Sequence, residues 1–302
     1  MLPFARVAII GLGLIGSSIA RAVRAEMPTV ALSGYDADPE TRETARAIGL
    51  CDDIADTPGA AVLDADLVIL CVPVGAMGDA ARAIADDLPA DAVVSDVGSC
   101  KESVAKALAE ALPDATIVPA HPVAGTERSG PEAGFATLFH HRWCILTPSE
   151  GTDPVAIERV STFWKRLGAT VETMEAAHHD RVLAITSHLP HLIAYTIVGT
   201  ASDLEEVTAS EVIKYSAGGF RDFTRIAASD PTMWRDVFLS NREAVLDMLQ
   251  RFSEDLSALQ RAIRWDKGDE LFDLFTRTRA VRRSIVEQGQ DDAAENFGRA
   301  RD

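Results

Sequence analysis

The chain has 302 residues, 47% of them hydrophobic and 25% charged; this is the composition of a globular protein, with enough length for two domains. Its net charge of −17 excludes a nucleic-acid or anionic-membrane surface built on a basic face, so any anionic ligand must be met by a few local arginines. No signal-peptide layout opens the chain, no apolar run reads as long enough to span a bilayer, and Cys51, Cys71, Cys100 and Cys144 form no CxxC pair. A reduced cytoplasmic protein is expected, with neither zinc site nor disulfide framework.

Short β-branched runs alternate with alanine-rich helical stretches up to about residue 174. Val7–Ile10 precedes a helix through Arg24. Val30–Asp36 precedes one around Pro39–Ile48, and Leu67–Pro73 one near Met77–Leu88. Ala92–Val97 precedes Lys101–Leu112, and a strand at Thr116–Ala120 follows. Continuous apolar strands of this kind belong to a parallel sheet covered on both faces. The alternation predicts a doubly wound, Rossmann-like α/β domain over residues 1–174. Trp143–Pro148 and Thr170–Met174 read as two further strands with a helix between them. From Glu175 no strand is convincing, so residues 175–302 read as an all-helical domain. Val182–Val198 is one apolar helix. Asp230-Pro231 is an N-cap with proline at the first helical position, opening a helix to about Ile263, and Gly268-Asp269 opens another. The tail after Gln288 is polar and expected to fray.

Three places carry chemistry. GLGLIG puts Gly11, Gly13 and Gly16 in G-x-G-x-x-G register between a strand and a helix, which is a dinucleotide loop with the phosphates held at Leu14 and Ile15. Asp36, at the end of the second strand, suits the adenosine ribose hydroxyls and repels a 2′-phosphate, which favours NAD over NADP. Arg42 stands close enough to blur that preference. The bland alternative for Asp36 is a turn residue or N-cap. The carboxyl ends of the strands bring Cys71-Val72-Pro73, Asp96–Ser99 and His121 to the same edge. His121 begins HPVAGTERSGPEAG, a stretch with almost nothing to fill a core. There it reads as the general base of an alcohol dehydrogenation; the alternative is a histidine bonded to a carbonyl.

In TSHLPH, Ser187 and His191 share a helix face. His188 and His191 lack a carboxylate or cysteine at ligand spacing, so no metal is expected. In GGFRDFTR, Arg221 and Arg225 are four apart, suited to clamping a carboxylate or to lying solvated on the surface. His178-His179 reads as an exposed helix start. Cys100 reads as a small buried residue, with a reactive thiol as the alternative.

The stretches GLGLIGSS, DVGSCK, HPVAGTERSG, TSHLPH and GGFRDFTRIAASDPTMWRD, in this order, resemble the prephenate/arogenate (cyclohexadienyl) dehydrogenase family. The resemblance implies oxidation of a cyclohexadienol by NAD(P)+ with loss of carbon dioxide, the substrate being prephenate or arogenate. By position, His121 resembles the base and Ser99 the residue that orients the substrate hydroxyl. Arg225 resembles the residue that holds the ring carboxylate. His191 and Ser187 are expected to line the pocket, and Thr126 and Glu127 to order the loop. Arg221 stands where other members have lysine. Trp234 is expected to reach the pocket from the second subunit of a dimer built by the helical half. Tyrosine is a candidate competitive inhibitor. Neither a fused chorismate mutase nor a regulatory domain is expected. Two other readings compete: a β-hydroxyacid dehydrogenase, whose lysine base has no counterpart between Arg166 and Tyr195, and a non-catalytic NAD-sensing dimer.

Overall fold

The computed structural model describes residues 2–126, 128–203, 214 and 218–285. Six parallel strands form the main sheet: β1 (Arg6–Ile10), β2 (Ala31–Tyr35), β3 (Asp53–Ile54), β4 (Leu67–Leu70), β5 (Val93–Asp96) and β6 (Thr116–Ile117). Their order is β3-β2-β1-β4-β5-β6, the doubly wound arrangement with its switch point between β1 and β4. Alternation explains why the central strands are apolar throughout. Val7 and Ile9 of β1 enter one core, with Leu67 and Ile69 of β4. Ala8 and Ile10 enter the other, with Val68 and Leu70. Helices α1 (Leu14–Glu26), α2 (Pro39–Ala47), α3 (Pro58–Val62), α4 (Met77–Arg82) and α5 (Glu102–Ala111) connect the strands.

The sixth strand is shorter than expected. The chain leaves the main sheet after Ile117 and forms β7 (Ala120–Pro122) in a second sheet, ordered β7-β8-β9. There β7 runs antiparallel to β8 (Trp143–Leu146), with His121 opposite Ile145. β8 runs parallel to β9 (Thr170–Thr173), joined through α6 (Pro154–Arg166) as expected. His121 therefore does not end a strand of the dinucleotide sheet. It is held at the edge of that sheet by cross-ties. The Ser95 hydroxyl donates to the Val118 carbonyl at 2.7 Å, and the Ala120 amide donates to the Asp96 carboxylate at 3.3 Å.

From residue 176 the described chain is helical. α7 (Ala176–Leu183), a π-helical turn (Ala184–His188) and α8 (Leu189–Ser202) run on as one helix. By length and composition it could cross a membrane, contrary to the reading that no run was long enough. Yet its buried His179, Asp180 and His188 are hydrogen-bonded within the protein, as in a core helix. α9 (Gly218–Thr224) and a 3-10 turn (Arg225–Ala228) lead to α10 (Pro231–Ser240). The Asp230 carboxylate caps α10 by accepting from the Met233 amide at 2.8 Å. The expected single helix to Ile263 is broken at Asn241, which separates α10 from α11 (Arg242–Arg264); α12 (Gly268–Ile285) follows. Asn241 is buried because its side-chain amide donates to the Asp180 carbonyl at 2.8 Å, so it serves a contact and not a continuous helix.

By contacts the chain divides at Leu246/Asp247. The helices before that point are tied to the α/β half. Asp180 accepts from the amides of Lys101 and Glu102 at the start of α5. Trp234 and Val237 bury against Cys100. The expected tail after Gln288 lies outside the described residues.

Candidate active site

The loop after β1 is shaped by two close approaches. Gly11 has φ +100°, and a Cβ there would stand 2.5 Å from the Cys71 carbonyl oxygen. A Cβ at Gly16 would lie 2.0 Å from the Gly11 carbonyl oxygen. Only glycine permits either. Gly13 is the N-cap of α1 and supplies no side-chain cap; the space around it is open. The N–H groups of the first turn, at Leu14 and Ile15, are thus left for an anion. Asp36 lies beside this loop. One carboxylate oxygen accepts from the Leu12 amide at 2.7 Å and the other from the Asp38 amide at 3.0 Å. These bonds fix the carboxylate next to the glycine loop, as the turn reading expects. The Arg42 guanidinium donates to the Asp36 carbonyl at 2.7 Å and lies over the Tyr35 ring, 5.4 Å from its centre. Val72 packs against Gly11, and Pro73 follows it, exposed. This cradle fits a dinucleotide.

His121 is 8% exposed and sits at one end of a buried chain of polar groups. Its Nδ1 lies 2.8 Å from Nε2 of His179. Nδ1 of His179 lies 2.8 Å from the Asp180 carboxylate. That carboxylate also accepts the Lys101 amide at 2.8 Å and the Glu102 amide at 3.0 Å. Below the strand, the wholly buried Lys101 pairs with Asp96, and its ammonium donates to the Ala120 carbonyl at 2.6 Å. Burial holds His121 neutral, well below the ordinary histidine range. The neighbouring His179, Lys101 and His188 add to the effect. Burial opposes ionisation of Asp180, but the hydrogen bonds from His179 and the two amides outweigh it and keep the carboxyl below the ordinary range.

His179 corrects the expectation of an exposed helix start: it is completely buried. The signal was the inward stripe of α7, since His179 lies four residues before buried Leu183. Lys101 was also missed, as an unremarked charge at a helix start.

His188 turns inward. Its Nδ1 lies 3.1 Å from the Asn241 amide nitrogen, its Nε2 is buried without a partner, and burial lowers its pKa to about 4. His191 meets the same Trp234 ring that His188 approaches edge-on. Its ring stacks on Trp234 with centres 3.7 Å apart, and its Nδ1 lies 2.8 Å from the Ser187 carbonyl. Burial lowers its pKa and the Arg225 charge adds to this. Ser187 is half-buried in the π-helical turn, a distortion that collects at functional sites. Trp234 is buried against His191 and Phe238 of its own chain. Cys100 is buried beside it, its thiol pushed up to about 12 by burial, which makes it a packing residue and no nucleophile.

Ser99 is half-buried in the turn after β5, whose Gly98 amide is held by the Asp96 carboxylate at 2.7 Å. Arg221 lies in α9, but the helix ends at Thr224 and Arg225 opens the 3-10 turn. Both side chains are exposed, so Arg225 is not closed from water within the single chain. The Thr126 hydroxyl accepts from the Arg128 amide at 3.2 Å; Glu127 lies outside the described residues. The rest of the loop is pinned to α1. Arg21 donates to the Pro131 carbonyl at 2.9 Å, and the Phe135 amide donates to the Ser18 hydroxyl at 3.2 Å. The coreless stretch after His121 thus links that histidine to α1 of the glycine loop.

A buried imidazole at the edge of a sheet that carries a dinucleotide cradle suits a dehydrogenase site, and comparison with known proteins says which kind. Residues 19–173 match the prephenate dehydrogenase nucleotide-binding domain and residues 175–277 its dimerization domain. The chain belongs to the prephenate dehydrogenase family. It is 47% identical over 285 residues to a cyclohexadienyl dehydrogenase of Zymomonas mobilis, covering 94% of this chain and 97% of that one. It is 33% identical to prephenate dehydrogenase of Bacillus subtilis, covering 90% and 74% of the two chains. Prephenate dehydrogenase from Aquifex aeolicus, solved with hydroxyphenyl propionate and NAD+, superposes with a TM-score of 0.87 at 34% identity, over 94% of this chain and 98% of that one. Membership in this family leaves the β-hydroxyacid dehydrogenase and the NAD-sensing dimer without support.

Proposed function

We propose that the chain is an NAD-dependent dehydrogenase that oxidatively decarboxylates prephenate, arogenate or both, in tyrosine biosynthesis. The observation that carries this reading is His121: a neutral, buried imidazole, oriented by His179 and tied to the edge of the dinucleotide sheet. The Aquifex aeolicus relative binds NAD+ and a hydroxyphenyl compound, which are the two ligand types this site would hold. Residues 1–174 would form the dinucleotide domain and 175–302 the substrate and dimerisation domain.

The loop Gly11–Gly16 with Leu14 and Ile15 would hold the pyrophosphate, Asp36 the ribose, and Val72 and Pro73 the wall beyond it. When bound, NAD+ supplies the hydride acceptor. His121 takes the ring hydroxyl proton at Nε2 as hydride departs, with Ser99 bonding that hydroxyl. Oxidation leaves a dienone with a carboxylate opposite the new carbonyl, so losing carbon dioxide makes the ring aromatic. Arg225 would orient that carboxylate; Arg221, His191, Ser187, Thr126 and Glu127 would surround the rest of the substrate. Tight retention of the carboxylate by Arg225 would oppose the charge leaving it, so an exposed arginine suits the step. A homodimer, a cytoplasmic setting and competition by tyrosine complete the reading.

Purified protein with NAD+ should form NADH with prephenate or arogenate and not with a 3-hydroxy acid. Turnover of the 3-hydroxy acid alone would overturn the reading.

A further inference from the structure

The chain His121–His179–Asp180 has one consistent proton arrangement. Asp180 is a carboxylate that can only accept, so Nδ1 of His179 carries a proton toward it. In neutral His179 the Nε2 atom is then a bare acceptor. It lies 2.8 Å from Nδ1 of His121, so that nitrogen carries the proton and Nε2 of His121 is left free for the substrate. Among the described residues, Lys101, whose ammonium sits on the neighbouring Ala120 carbonyl, and His188 both disfavour charge on His121. His179 differs, because a carboxylate is already bonded to its far nitrogen.

We propose that His121, His179 and Asp180 form a proton relay, in which His179 and not His121 holds the charge during turnover. This rests on His121 being the base. The substrate O–H proton goes to Nε2 of His121 while the Nδ1 proton of His121 crosses to Nε2 of His179. Hydride leaves the same carbon for NAD+, so oxidation and reduction balance. His179 becomes an imidazolium paired with Asp180. Carbon dioxide then departs, and the electron pair of its bond to the ring makes the ring aromatic and leaves a phenolate oxygen. Nε2 of His121 returns a proton to that oxygen, and His179 returns its own to Nδ1 of His121. The site ends as it began, with the proton stored and handed back. His179 acts through His121 and is a positioning residue by this account; Asp180 fixes its tautomer.

His179→Gln is the discriminating variant. A glutamine oxygen can accept the Nδ1–H bond of His121 and hold its orientation, but it cannot take the proton. The relay predicts a fall in kcat of at least about tenfold, less than the ~10²-fold or more lost with a positioned acid–base group itself. NAD+ affinity should stay within about twofold, and the acid limb of the pH–kcat profile should move to lower pH, because the charge must then stay on His121 beside Lys101. In 15N-histidine NMR of the wild-type protein without substrate, acidification should make His179 the imidazolium of the pair. A His179→Gln enzyme within threefold of wild type with an unmoved profile overturns the relay, as does NMR in which His121 is the imidazolium. The NMR result decides if the variant loses NAD+ binding. An inactive wild-type protein would refute the proposed function instead.

Discussion

At the scale of single residues, the proposed site separates cofactor selection, proton transfer and substrate anchoring. Asp36 faces the cradle with a fixed carboxylate, while Arg42 lies on its own backbone carbonyl. NAD+ should be strongly preferred, and Asp36→Ser should narrow the gap to NADP+, because the cation already beside it then meets the 2′-phosphate unopposed. Kinetics with both cofactors check this; equal efficiency in the wild-type protein would remove the role of Asp36. His121→Asn should lower kcat by ~10²–10⁴ while NAD+ titration stays near normal. Arg225→Ala should raise KM by about 10–100-fold, the equivalent of the ~1.5–3 kcal/mol of a hydrogen bond to a charged group, and spare NAD+ binding. Arg242→Ala, exposed and paired with Glu243, is the control. Unchanged substrate kinetics in Arg225→Ala would make it a surface charge.

At the scale of elements, the sequence was most legible where one rule acted alone. The glycine loop, the two-faced strands and the Asp230-Pro231 cap follow from turn sterics, burial and capping. The strand carrying His121 was misassigned, because Thr116–Ala120 reads as one apolar run and only tertiary pairing splits it between two sheets. Asn241 reads as one polar residue in a helical stretch, and its break follows from its bond to the Asp180 carbonyl. His179 was missed because its ring partner His121 lies 58 positions away in the chain, so nothing local pointed to that contact. The α5 start shows the same long-range dependence, since Asp180 holds the amides of Lys101 and Glu102. Lys101 and Asp96 are a wholly buried pair, and removing one partner of such a pair costs about 3–5 kcal/mol. Lys101→Met should therefore destabilise by about that amount in urea unfolding. A loss below about 1 kcal/mol, the size of an exposed pair, would mean that the ammonium is not buried in solution.

At the scale of the whole molecule, buried neutral histidines make stability depend on pH. His188 titrates near its ordinary 6.5 when unfolded and at about 4 when folded. The unfolded chain therefore binds more protons in that window, and stability should fall as pH drops from 6.5 toward 4; His121 adds in the same direction. Thermal unfolding across that range checks it, and a flat profile would place both rings in water. In the segment after Leu246, Ile263, Trp265 and Phe272 are each at least two-thirds exposed, large apolar side chains that a subunit contact would cover. With the match to a dimerization domain, this predicts sedimentation at twice the chain mass of 32.4 kDa. A monomeric active species would contradict that assembly.

The decisive measurement is product stoichiometry. Wild-type protein given NAD+ and prephenate or arogenate should release NADH, carbon dioxide and a phenol in equal amounts, and His121→Asn should depress all three together. NADH formed without carbon dioxide, or full release of all three by His121→Asn, would contradict an oxidative decarboxylase that works through His121.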